Sequence, residues 1–355
     1  MSIWDDIALA IQLDQPIHQH ELAGLDARKR SLGGATFSHA NLTGASFVDA
    51  DLARAKFINC DLDGVDFSNA VLDHAIFVKC SMKATRLCAR QMRHICWVDC
   101  DLSTSNWEHA QLQVSSVVNS SLQQAQLGAA TLERSSFLND RFDDANLGGA
   151  TLAQCVVSPA DWRKVQLQEM RADGVVFANA NLQGQRLNGL HLQRCSLQGA
   201  ELSDVDFGAA DLQGANFHQA KFLRANLSQA NAARALMLGA SLEHVNLTGA
   251  NLEGAIFQAA TLHDCQLDQA QLKTSIWNKS KHAQVSFLGA DLSYARLEQI
   301  QGEDVDFSHA NLDHAQFHNA DICHARFDGA SMHRLARTDA ARLQLETRTL
   351  ALENK

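Results

Sequence analysis

The sequence predicts an all-β fold, a four-sided coil of short parallel strands stacked about 15 times, and three observations predict it. The first is a period of five. From Leu32 to Met332 every residue whose number ends in 2 or 7 is Leu, Phe, Met, Ile, Val or Trp, except Ala172, Ala232, His282 and Gly302, out of 61 positions. The second is a small residue two places before each of these centres, where alanine fills 33 of 60 positions and Cys60, Cys80, Cys100, Cys155, Cys195 and Cys265 also fall. The third is that no insertion or deletion disturbs the register.

Periodicity decides between elements. A helix at 3.6 residues per turn would scatter the centres around its axis, and a strand needs a period of two. A short strand with a corner every five residues turns both the centre and the small residue inward. Four such sides close a coil of 20 residues, and coils stack at strand spacing of roughly 4.8 Å, giving a rod on the order of 70 Å. Leu or Phe fills the square, Ala or Cys fits beside the wall, and Gly, Asn, Asp and His suit the corners.

The ends need covers, because an open coil exposes both core and backbone. Residues 1–31 are expected to form an N-terminal cap: a short amphipathic helix over 3–13, then an imperfect first coil containing Ile17 and Leu22. The array proper spans 32–332. Residues 333–355 form the C-terminal cap, read as helical through Leu335, Ala336, Ala340 and Leu343, although the run from Leu343 to Thr349 also alternates like a strand.

The units Ala40-Asn-Leu-Thr-Gly, Ala210-Asp-Leu-Gln-Gly and Ala310-Asn-Leu-Asp-His closely resemble the pentapeptide-repeat family. The resemblance covers 32–332 and implies the family's right-handed quadrilateral β-helix. Leu22-Ala-Gly-Leu-Asp followed by Leu32-Gly-Gly-Ala is also similar to pentapeptide-repeat proteins that accompany type VI secretion clusters, which implies a role in loading or delivering effectors.

The constant register assigns outward residues to faces. Centres Leu32, Phe37, Leu42 and Phe47 begin the first, second, third and fourth faces, whose outward charges sum to 0, +2, −6 and −5. The second face is also the aliphatic one. It carries Ile58, Ile76, Val78, Val98, Val118, Leu138, Val156, Val176, Leu236, Leu238, Ile256 and Ile276, against five aliphatic residues on the other three faces combined. β-Branched residues suit any extended wall, yet only one wall is enriched. Contiguous apolar surface marks a contact face, so this one is expected to bind a partner protein or a second copy of the chain. A basic cluster of Lys79, Lys83, Arg86 and Arg93 is a lesser candidate for an acidic partner. Arg90 and Ile95, in small-residue positions, predict either a local bulge of the coil or side chains pushed outward, and Met170, Gln185 and Leu190 suggest similar strain, a bend or a junction around 159–190.

Other functions are excluded by what they need. A net charge of −10 lacks the basic stripe of a nucleic-acid binder. Some pentapeptide-repeat proteins resemble B-form DNA and bind DNA gyrase. Here the third and fourth faces sum to −11, against about 40 charges on 70 Å of duplex, and no loop projects from the array. No apolar run is long enough to span a membrane. The start of the chain has no signal-peptide pattern and the nine cysteines read as reduced thiols, so the expectation is a cytoplasmic protein, with export without a cleaved signal equally compatible.

No nucleophile elbow, phosphate loop or dinucleotide fingerprint occurs. Cys60, Cys80 and Cys100 fall in one column, which gives a ladder rather than the tetrahedral convergence zinc wants. The linear spacing of the 16 histidines shows no ligand cluster. The expected function is thus a non-enzymatic protein–protein interaction scaffold of the bacterial cytoplasm without a cofactor, and the second resemblance implies an accessory role in loading or delivering type VI secretion effectors. A DNA-mimicking gyrase binder and a secreted effector using the rod as a spacer are the alternatives.

Overall fold

A computed structural model describes residues 3–18, 21–89, 92–158 and 161–344. It is an all-parallel β-solenoid of about 15 turns. The chain forms two units, one ending at Asn181 and the other beginning at Leu182. That boundary falls inside the 159–190 stretch singled out by its large residues at small positions.

Coil closure is a backbone matter. At the corners not preceded by a three-residue strand the N–H of the small residue bonds to the C=O of the centre three residues earlier, as in Ala35 to Leu32 and Ala45 to Leu42 at 3.0 and 2.9 Å. The third residue of such a turn has positive φ, as at Gly34 (76°) and Gly44 (65°), which is the signature of a type II turn. Positive φ recurs at numbers ending in 4 or 9, on His39, Asp49, Asn59 and many others. These are the residues the sequence assigned to corners.

Val114 breaks that chemistry. It holds φ 51° while 41% exposed, in a conformation that costs an L-residue roughly 1–2 kcal/mol. Asn occupies the same kind of corner at 119 and 139 without difficulty. Val114→Asn is therefore expected to stabilise the protein by about 1 kcal/mol, read as a higher thermal midpoint; a lower one would mean that the Val114 side chain is held by packing.

Coils are joined in register at intervals of 20. In the first unit the second face forms an eight-stranded sheet from Ile17–His18 through Lys56–Ile58 and Cys96–Val98 to Val156–Ser158. The first face adds strands from Met92–Arg93 to Arg171–Asp173. In the second unit the third face carries six strands, from Lys221–Leu223 to Asp321–Cys323. Elsewhere single bridges continue the pattern, such as Asn226↔Asn246 and Gln316↔Ala336.

The residue before each centre is so often Asn or Asp because it works in two directions. Its side-chain oxygen accepts the N–H two residues on, as at Asn226 to Ser228 (3.1 Å) and Asp206 to Gly208 (3.0 Å). An Asn amide also donates along the stack, from Asn251 to Asn231 (3.1 Å) and from Asn231 to Asp211 (3.0 Å).

The core is a set of stacked columns. Phe37, Phe57, Phe77 and Trp97 stack at 5.1, 4.9 and 5.7 Å between centroids. The neighbouring Phe47–Phe67 column meets them edge-on at 6.0–6.3 Å, the geometry aromatic quadrupoles favour. At two of the tryptophan centres a serine stands in the small position and takes the indole: Trp107 donates its N–H to Ser105 Oγ at 2.7 Å and Trp277 to Ser275 Oγ at 2.8 Å. Trp97 follows Ile95 instead, and its indole N–H has no partner.

An α-helix, α1 (Ile3–Gln12), precedes the first coils and buries Ile7. The Arg30 guanidinium lies 4.3 Å from the Trp4 ring centre. Ile17 and Leu22 are buried, so inward packing begins before Leu32. At the other end Asp339 Oδ1 accepts the N–H groups of Ala341 (2.9 Å) and Arg342 (3.1 Å). It thereby caps a helical segment over 340–344; of the run that alternates like a strand, Leu343 and Gln344 are in this helix and the rest lies outside the described residues. Among the described residues the last inward side chains, Ala320, Ile322, Phe327 and Met332, are only partly covered and line a hollow of 380 Å³.

Candidate partner-binding face

Parallel pairing turns the aliphatic residues of the second face into a true column. In the first unit Ile58 pairs in register with Val78, Val78 with Val98, Val98 with Val118 and Val118 with Leu138. Each is half-buried against its neighbours above and below. Ile76 and Val156, on the other side of their centres, are 36% and 37% exposed, and Val176 is half-buried. The second unit carries its own group, with Leu236, Ile256 and Ile276 bridged in succession and Leu238 beside them. All twelve therefore point outward as the register requires.

Behind the column runs a ladder of buried inward residues. The inward positions of the same corner hold Cys60, Cys80, Cys100, Ser120 and Asp140 in successive coils, all buried. Cys60 and Cys80 Sγ lie 3.4 and 3.3 Å from the carbonyls of Phe37 and Phe57. Hydrogen bonding to Cys100 and Cys60, together with burial, holds the Cys80 thiol above its usual range. These thiols serve packing.

The basic residues do not gather into one patch. Lys79 sits at the corner after Ile76–Val78, with φ 53°. Lys83 lies on the third face, 3.4 Å from Asp101. Arg86 is laddered between Asp66 and Asn106 on the fourth face, and Arg93 is on the first, its N–H bonded to Asp73 (3.0 Å). The correction has a simple cause: residues close in sequence run around the coil, so they point from four different walls. Ile95 is buried, and the regular turn is lost at 87–89, where Ala89 is buried at a place the register makes an exposed corner; Arg90 lies outside the described residues.

Linear spacing also misled for histidine. The coil brings Glu243, His244 and His263 together on the third face, with ligand atoms within 4.8 Å of one another. Two inward ionisable groups stand in the core: His282, already an exception among the centres, and Asp140, which the sequence reading missed. Asp140 is buried with Oδ2 unpartnered, and burial raises its carboxyl to about 7. His282 is buried at a centre, where desolvation lowers its imidazole to about 4. Both stand in inward columns that counting modulo five identifies.

No helix among the described residues is long and apolar enough to cross a membrane. Comparison with known proteins returned eight matches to the pentapeptide-repeat family, over residues 22–57, 31–69, 50–87, 176–214, 200–237, 210–249, 235–273 and 303–334. A search of curated proteins returned no match. Among solved structures the chain is similar to HetL, a pentapeptide repeat protein involved in heterocyst differentiation regulation in the cyanobacterium Nostoc. The identity is 27% over 63% of this chain and 87% of HetL, with a TM-score of 0.22. A pentapeptide repeat protein of the Arabidopsis thaliana thylakoid lumen is 30% identical over 28% of this chain and 68% of its own, with a TM-score of 0.27. QnrB1, a plasmid-mediated fluoroquinolone resistance protein, is 18% identical over 68% of this chain and 98% of its own, with a TM-score of 0.23. With more than half of its residues matched by the family's repeats, the chain belongs to the pentapeptide-repeat family.

Proposed function

We propose that the protein is a non-enzymatic interaction scaffold whose second face binds a protein partner through its aliphatic column. The observation that carries this is the in-register run Ile58, Val78, Val98, Val118 and Leu138, flanked by exposed Ile76 and Val156. An apolar stripe confined to one nearly neutral wall fits a partner that brings its own apolar surface. A second copy of the chain satisfies the same chemistry. The finer role, loading or delivering a type VI secretion effector, rests on the resemblance around Leu22 and Leu32.

The test replaces Val78, Val98 and Val118 together with lysine. The side chains face outward, so the coil can accept the change, while an apolar contact would have to bury three charges. Association, with itself by light scattering or with a captured partner by pull-down, is expected to weaken by at least about a hundredfold. Unchanged association in a variant with native circular dichroism would remove this face from the interaction.

A further inference from the structure

A groove of 670 Å³ runs along the third face of the second unit, and Glu243 and His263 are among the residues that line it. They stand in register one coil apart. His244 follows at the corner, its backbone N–H bonded to the His263 carbonyl at 2.9 Å. Ligand atoms of all three side chains lie within 4.8 Å of one another, and all three are exposed.

Two distances give this group its meaning. His244 Nε2 is 3.6 Å from Glu243 Oε1, too far for a hydrogen bond. Two ligands of one tetrahedral ion with bonds of about 2.0–2.1 Å stand about 3.4 Å apart. His244 Nδ1 is 2.7 Å from Asp264 Oδ2. With that nitrogen protonated toward the carboxylate, the lone pair of Nε2 is left for a metal, which is how outer carboxylates orient ligating imidazoles. Arg224, one coil before His244, is held by Asp204 through Nε and Nη2 at 2.7 and 2.8 Å and also attracts Glu243, so the nearest arginine is shared between the two carboxylates.

We propose that Glu243, His244 and His263 bind one divalent transition-metal ion of the zinc type. One carboxylate oxygen and two imidazole nitrogens ligate it, Asp264 positions His244, and the fourth place is open to water. Three protein ligands of this kind are a recognised zinc set. The site is independent of the aliphatic face and would hold whether or not that face binds a partner.

The experiment is calorimetric titration of the full chain with zinc chloride, paired with cobalt(II) absorption to read coordination geometry. One equivalent is expected to bind, and cobalt should show the visible bands of a four-coordinate site. His244→Ala and His263→Ala should each abolish that equivalent, and Asp264→Asn should weaken it by about tenfold or more. A His74→Ala/His94→Ala control, removing a histidine pair stacked at 4.8 Å on the first face, should leave it unchanged. Circular dichroism checks that each variant keeps its fold. No saturable zinc binding, or an equivalent that survives in a His244→Ala/His263→Ala variant or is lost in the control, would overturn the proposal.

Discussion

Replacing Asp140 with serine is expected to stabilise the protein by about 4 kcal/mol at pH 8 and by about 2 kcal/mol at pH 5. Asp140 is 6% exposed in the inward column that begins with Cys60. Its Oδ1 accepts the Ser120 N–H at 2.7 Å, but Oδ2 has no partner. Burial raises the carboxyl from 3.8 to about 7, against the backbone hydrogen bonds that favour the anion. A folded-state pKa above the unfolded one means that the native state holds its proton more tightly. The stability this provides is complete below about pH 4 and is lost as pH rises through 7.

Serine removes the charge and keeps the bond. At position 120 it already does this work, accepting the Cys100 N–H and donating to the Val118 carbonyl, both at 3.0 Å. Denaturant unfolding of both proteins across this pH range should show a gap that widens with pH. A constant gap would place the ionised carboxylate in contact with water.

The fold was legible because one physical constraint repeats: each side of the coil must put a large and a small residue inward. That constraint survives Ala232, where neighbouring columns keep the core closed and the alanine is fully buried. The outward faces were legible to the same extent, since the modulo-20 register is the hydrogen-bonding register, as Val78↔Val98 shows. What could not be read by linear proximity was anything assembled across coils. Lys79 through Arg93 look clustered in sequence and are dispersed around the axis, whereas His244 and His263 look distant and meet. Ser105 and Ser275 were legible in principle, because the indole acceptor stands a fixed two residues before its tryptophan. The turn lost at 87–89 depends on how the chain accommodates a large residue at a small position, which composition does not specify.

His282→Leu carries the opposite pH signature. His282 is 3% exposed at a centre, packed edge-on to Trp277 at 5.4 Å, with Nε2 bonded to Ser280 Oγ (2.8 Å) and Nδ1 unpartnered. Desolvation lowers its imidazole from 6.5 to about 4. A depressed folded-state pKa contributes stability that is present above about pH 6.5 and is lost as pH falls through 4. Leucine is the commonest residue at the centres and leaves Ser280 satisfied by the Trp277 carbonyl at 2.6 Å. Removing the orphaned nitrogen should add about 1–3 kcal/mol at pH 8, and the gain should be about 2 kcal/mol larger at pH 5. Asp140 belongs to the unit ending at Asn181 and His282 to the unit beginning at Leu182. The two groups titrate through the same window in opposite directions, so the wild-type pH profile hides both while each variant uncovers the other. Profiles of Asp140→Ser and His282→Leu that diverge from wild type with opposite slopes meet this expectation; a His282→Leu gain independent of pH would show that the imidazole is not held neutral by burial.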